Sequence, residues 1–269
     1  MSAPVNRPVT GPMIAADILK LRRHRPTMAA AAALSVGVTA LYLAVIVSRH
    51  NGQLAGAQTL ADGTSLVGLY FGSFAAILIG TEAGTVDVAS GVFRDLAATG
   101  RSRTLLFLTR VPAAVAVALA FTVSGFLLTV AAAFAFRGAT PAPGLGLILE
   151  SAGWVVLATA AVTAVAVGLG SLTGSRAITL TAIIGWQTVA SGMLYLATFL
   201  GAARDLVLAF AVSRFLPGPA IGTKANPGST NAINNLKLPM PAGVAVLVLL
   251  AWVIVAAAAG ACRTRNRDA

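Results

Sequence analysis

The side chains that could do chemistry are few and scattered. His24 and His50 are the only histidines, and Cys262 is the only cysteine. A zinc or haem site needs several imidazole or thiolate donors brought together, and two distant histidines with one thiol do not supply them. The long apolar runs contain neither His nor Asp, so no Ser-His-Asp or Cys-His set can form inside them. The nearest approach to a phosphate loop is "GLGSLTGS" at 168–175, which lacks the lysine of a Walker motif and closes an apolar run. Glu82 and Glu150 could hold a proton or an ion, since acids in apolar segments often do. Both stand at the ends of uncharged runs, from which they can reach the interface. No catalytic residue, metal ligand or bound cofactor is expected, and the chain does not read as an enzyme.

The elements that must carry these residues follow from composition. In 269 residues, 57% are hydrophobic and only 10% charged, and the mean hydropathy is +0.86. That is too apolar for a soluble domain to cover its own surface. A helix crosses a bilayer with about 20 apolar residues. Period-two alternation is absent, so the crossings are helices. The sequence predicts one all-α polytopic domain over 1–269 with six transmembrane helices at 26–48, 63–82, 111–136, 151–175, 177–203 and 240–261.

Charge orients the chain. With six spans, one side of the membrane receives 13 Lys and Arg and the other receives 6. The positive-inside rule then places both termini in the cytoplasm. The net charge of +11 is therefore a matter of topology and of contact with anionic membrane lipid, and binding of nucleic acid is excluded for want of a soluble basic face. The first apolar run is longer than the h-region of a signal peptide and reads as an uncleaved first span. Residues 1–25 predict a cytoplasmic interfacial helix, with Ile14, Ile18 and Leu21 on one face and Asp17, Lys20 and His24 on another. Pro26 breaks it before the membrane. Residues 204–239 predict an outer loop, in which "RDLVLAFAVSRFL" is too short to span and reads as a re-entrant or interfacial helix.

Gly68, Gly72, Ala76, Gly80 and Gly84 recur every four residues along the second span and share one helix face. Small residues at that spacing let two helix backbones approach closely in a membrane. Whether the partner helix belongs to this chain or to a second copy is open from spacing alone.

Residues 83–110 form the charged cytoplasmic segment between the second and third spans. "DVASGVFRDLAATGRSRTLLFLTR", at 87–110, holds four arginines and two aspartates. On a helix, Val88, Val92 and Leu96, flanked by Ala89 and Phe93, make an apolar stripe, while Asp87, Arg94 and Asp95 face elsewhere. Gly100 ends the helix. Such a helix lies on the membrane or docks a soluble partner through its stripe.

This run resembles the signature of the ATP-binding-cassette (ABC) transporter type-2 permease family, membrane subunits of many bacterial exporters. Members typically show an acid, Gly-Thr, an arginine, a leucine, Gly-x-Ser-Arg, and a basic residue opening the third span. Asp87, Gly91, Arg94, Leu96, Gly100, Ser102, Arg103 and Arg110 match, while Val92 stands where threonine is usual. The basic amino-terminal helix, "GSLTGSRAITLT" and "RFLPGPA" add to the likeness. The resemblance implies a permease subunit in the bacterial cell membrane that dimerises with a second copy or a paralogue. It would pair with separate ABC ATPase subunits, which would bind ATP and Mg. Asp87, Val92, Phe93, Arg94, Leu96, Gly100, Ser102 and Arg103 would then couple ATP binding to the helices. Other classes fit the composition as well: a secondary transporter, which needs polar residues in a discontinuous helix, or a sensor or scaffold that transports nothing.

Overall fold

The structure is a computed structural model that describes residues 10–52, 54–89, 103–217 and 240–266. Of the described residues, 88% are helical and none is in a strand. Among the described residues, five helices are long and apolar enough to cross a membrane: Arg25–Arg49, Gly56–Val86, Thr104–Ala135, Leu145–Thr173 and Ala242–Arg265.

Helix α1 (Thr10–Arg23) ends at His24, whose φ of −77° and ψ of 72° are not helical. Pro26 follows at the start of α2 (Arg25–Arg49), where its missing N–H costs nothing. Helix α3 runs over 56–89 and α4 over Arg103–Ala135. Both are longer than their predicted spans, because the flanking polar residues continue the helix beyond the apolar run. The charged segment read as 83–110 is thus helical at both ends, and residues 90–102 lie outside the described residues.

Helix α5 (Leu145–Thr173) lies at the centre of the bundle. It closes at Gly174, whose φ of 68° suits glycine. Ser175 caps the next helix by accepting a hydrogen bond from the Ile178 N–H. This tight Gly-Ser turn reverses the chain and puts Arg176 at the first position of α6.

The predicted span 177–203 departs from a single helix. Helix α6 covers 176–196, with a π-turn at Trp186–Ala190. It stops at Ala197 (φ −77°, ψ 69°), and a 3-10 segment, Thr198–Leu206, follows with Gly201 at φ 51°. The glycine permits a kink that a branched apolar residue would resist. After it, α7 (Leu208–Ser213) is a short helix whose Phe210, Ala211 and Val212 are buried. The Trp154 indole N–H donates to the Val212 carbonyl (2.8 Å), and the Trp252 indole N–H donates to Leu206 (2.8 Å). Both tryptophans stand well inside α5 and α8 (Ala242–Asn266), so 206–212 is inserted among the helices.

Candidate functional site: the charged base of the bundle

Small residues let the central helices meet. The face of α3 that carries Gly68, Gly72, Ala76, Gly80 and Gly84 turns mainly to α5 of the same chain. The Trp154 ring occupies the space beside Gly68, and Gly72 faces Thr122 of α4. Ala76 is wholly buried. A methyl group on Gly80 would lie 2.7 Å from both the Thr163 carbonyl and the Ala166 Cβ; on Gly84 it would lie 2.6 Å from the Val167 carbonyl. Gly168 and Gly260 repeat the device between α5 and α8. Close approach of backbones is how helices associate where lipid removes the hydrophobic drive.

This packing brings the ends of α2, α3 and α6 together around Glu82. Its side chain is 6% exposed. His24 Nδ1 lies 3.0 Å from Oε1, and Arg176 Nη1 lies 3.0 Å from Oε2. Thr27 Oγ1 donates to Oε2 at 3.2 Å and accepts from Arg176 Nη2 at 3.3 Å. A buried carboxylate survives only if paired and hydrogen-bonded, and here the start of α2 (His24 and Thr27) and the start of α6 (Arg176) supply the partners. Glu82 does not extend to the interface, as its place at the end of an uncharged run suggested; His24 and Arg176 come to it instead.

A second cluster lies one turn along α1. Thr109 Oγ1 donates to Asp17 Oδ2 at 3.2 Å. Asp17, Lys20, Leu21, Ala83 and Arg110 line one small cavity. Burial raises the Asp17 carboxyl above the usual carboxylate range, against the lowering effects of the Thr109 hydrogen bond and the Arg110 and Lys20 charges. Burial also lowers the Lys20 ammonium, helped by the nearby Arg110 charge and opposed by Asp17. Asp17, Lys20 and His24 therefore turn toward the bundle, while Pro12, Ala15, Ala16, Leu19, Arg22 and Arg23 form the exposed face. Of the apolar stripe, Leu21 is buried and Ile14 and Ile18 are half-buried, Ile18 packing against the core, so the apolar and the polar faces of α1 both meet the bundle.

Of the residues expected to couple to an ATPase, Val92, Phe93, Arg94, Leu96, Gly100 and Ser102 lie outside the described residues. Asp87 is in the last turn of α3, and Arg103 opens α4. His24, Thr27 and Arg176 were not anticipated as a group. The one available signal was Arg176, the sole charge between 151 and 203. Among the described residues no group of His, Cys, Asp and Glu could hold a metal ion. No family model, curated protein or solved structure matches the chain.

Proposed function

We propose that this chain is the membrane-spanning permease subunit of an ABC exporter in a bacterial cell membrane, driven by a separate ATPase that binds ATP and Mg. In this reading α6 is the sixth crossing, both termini are cytoplasmic, and a second copy or a paralogue completes the path. The observation that carries it is the bracing of the two helices from which the charged segment leaves. Helix α1 is tied to α4 through Asp17 and Thr109, and its end is tied to α3 through His24 and Glu82. A displacement applied at 90–102 then moves α3 and α4 with little slack, which coupling to a two-position partner requires.

The test is retention of the ATPase. An affinity-tagged chain purified from its native membranes is expected to carry an ABC ATPase, identified by mass spectrometry and by ATP hydrolysis. Leu96→Asp puts a charge into the proposed contact and is expected to lower that retention about ten-fold or more, with the chain still inserted. Arg94→Glu acts in the same direction more weakly, as a rim charge does. Wild-type chain that brings down no ATPase refutes the exporter; equal retention by Leu96→Asp removes the coupling role from 87–110.

A further inference from the structure

Glu82 is the one acid on which an imidazole, a guanidinium and a hydroxyl converge among the described residues, and those groups come from the α1–α2 break, α2 and the start of α6. Arg176 is held by a tight turn, and a guanidinium is not deprotonated in proteins. Thr27 is uncharged. His24 is the variable member: imidazole is the side chain whose charge ordinarily changes between about pH 5 and 8. Its side chain is 36% exposed, so protons reach it, while the carboxylate it touches is 6% exposed and cannot turn to water instead. His24 is also the break between α1 and α2, and what happens to its contact decides whether that joint is fixed.

We propose that His24, Glu82 and Arg176 form a proton-operated clasp, closed most firmly when His24 is charged, which sets how tightly α1 and α6 are held to the end of α3. With His24 protonated, Nδ1–H donates to Oε1 as one of two cations on the carboxylate. With His24 neutral, Arg176 remains, and the imidazole contact loses its ion-pair attraction, keeping an N–H···O bond to the carboxylate only in the tautomer that carries the proton on Nδ1. Other charges around the clasp are Asp17 and Lys20 on α1, Arg25 on α2, and Arg110 on α4. Asp17, whose carboxyl burial raises, is the one acid among them. In the exporter reading, which this deepens, the clasp sets by pH how stiffly the ends of the coupling segment are held.

The experiment uses the full chain in nanodiscs of phosphatidylcholine, where both faces meet the buffer. Its outcome is therefore independent of orientation, of a partner ATPase and of transport. Spin labels at Ala16→Cys and Ile178→Cys, both exposed positions, in a Cys262→Ala background report the separation of α1 and α6 by double electron–electron resonance. At about pH 5.5 the distance distribution is expected to be narrow; at about pH 8 a broad second population grows about three- to ten-fold. His24→Gln shows that broad population at both pH values. Glu82→Gln does the same. Asp17→Asn keeps the wild-type response. A wild type that does not respond to pH overturns the proposal, and so does a response that survives in His24→Gln or disappears in Asp17→Asn. Should Glu82→Gln fail to fold, the half-exposed His24 position decides alone.

Discussion

Replacing Gly80 by alanine tests whether the contact of α3 with α5 organises the bundle. The added methyl would sit 2.7 Å from the Ala166 Cβ, 2.7 Å from the Thr163 carbonyl oxygen and 3.3 Å from the Val167 nitrogen. Two of these three neighbours are backbone, so no rotamer change relieves the overlap, and the helices must separate by several tenths of an ångström. Overpacking of this kind costs about 1–3 kcal/mol. Alanine is the better helix former by about 1 kcal/mol, which offsets part of that. The net expectation is a loss of up to about 2 kcal/mol for Gly80→Ala, and a larger loss for Gly80→Leu, which gains less from helix propensity and overlaps more.

Gly153 supplies the control on the partner helix. It lies in α5, and nothing stands within 4 Å of where its Cβ would be. Gly153→Ala therefore keeps only the propensity gain, about 0.5–1 kcal/mol of added stability. Unfolding in mixed micelles of dodecyl maltoside with rising dodecyl sulfate, followed by tryptophan fluorescence, reads both variants against wild type. Opposite shifts of the midpoint are expected. If neither Gly80→Ala nor Gly80→Leu lowers the midpoint, α3 and α5 are not in the contact described, and the arrangement of helices around Glu82 loses its support.

Three further outcomes follow from the same geometry. The native state binds the Asp17 proton more tightly than the unfolded chain does, so its ionisation is a penalty, fully present above its native pKa and relieved as pH falls through it. Asp17→Asn is expected to match or exceed wild-type stability near neutral pH and to lack the wild-type gain on acidification; a thermal midpoint that tracks wild type from about pH 7 to about 4.5 would refute this. Trp154→Phe keeps a ring beside Gly68 but removes the 2.8 Å indole donor of the Val212 carbonyl, which still accepts from the Phe215 N–H, at a cost of about 0.5–1.5 kcal/mol in the same micelle titration; no change would mean that 206–212 is not seated on α5. Cys262, exposed at the end of α8, is expected to react with a membrane-impermeant maleimide only after cells are opened, whereas Gly138→Cys in a Cys262→Ala background reacts in intact cells. The reverse pattern would invert the proposed topology.

The helical membrane class was legible because it depends on composition and run length alone. The end of α6 was not, for a local reason. Residues 197–203 are as uncharged as those before them, and hydropathy does not register that Gly201 can take a positive φ. The chain breaks where conformation permits and where Leu206 and Val212 find indole N–H donors on distant helices. Those partners are close only in the folded chain. The same limit applied to the glycine face of α3. Its spacing announced close packing, but α5 became identifiable as the partner only from the backbone contacts at Thr163 and Val167.

Helix α1 shows why the site was harder to read than the fold. Periodicity separates a helix into faces, and the usual inference sends the charged face to water. Asp17, Lys20 and His24 go the other way because charged and hydroxyl partners wait at the ends of α3 and α4: Thr109, Arg110 and Glu82. Each of those three reads singly as an end-of-span residue free to reach the interface. A buried acid needs its partners whatever their distance in sequence, and here they come from positions 24, 27 and 176. Arg176 could be placed only once Gly174 and Ser175 had turned the chain back on α3. Few charges, each isolated at the end of a long apolar run, are therefore better read as mutual partners than as separate interfacial groups. In a chain with 8 acids, Asp17 and Glu82 are both turned inward, which leaves Arg22, Arg23 and Arg25 exposed on the same end of the bundle. Pairing the acids internally thus concentrates positive charge on the side that the positive-inside rule assigns to the cytoplasm.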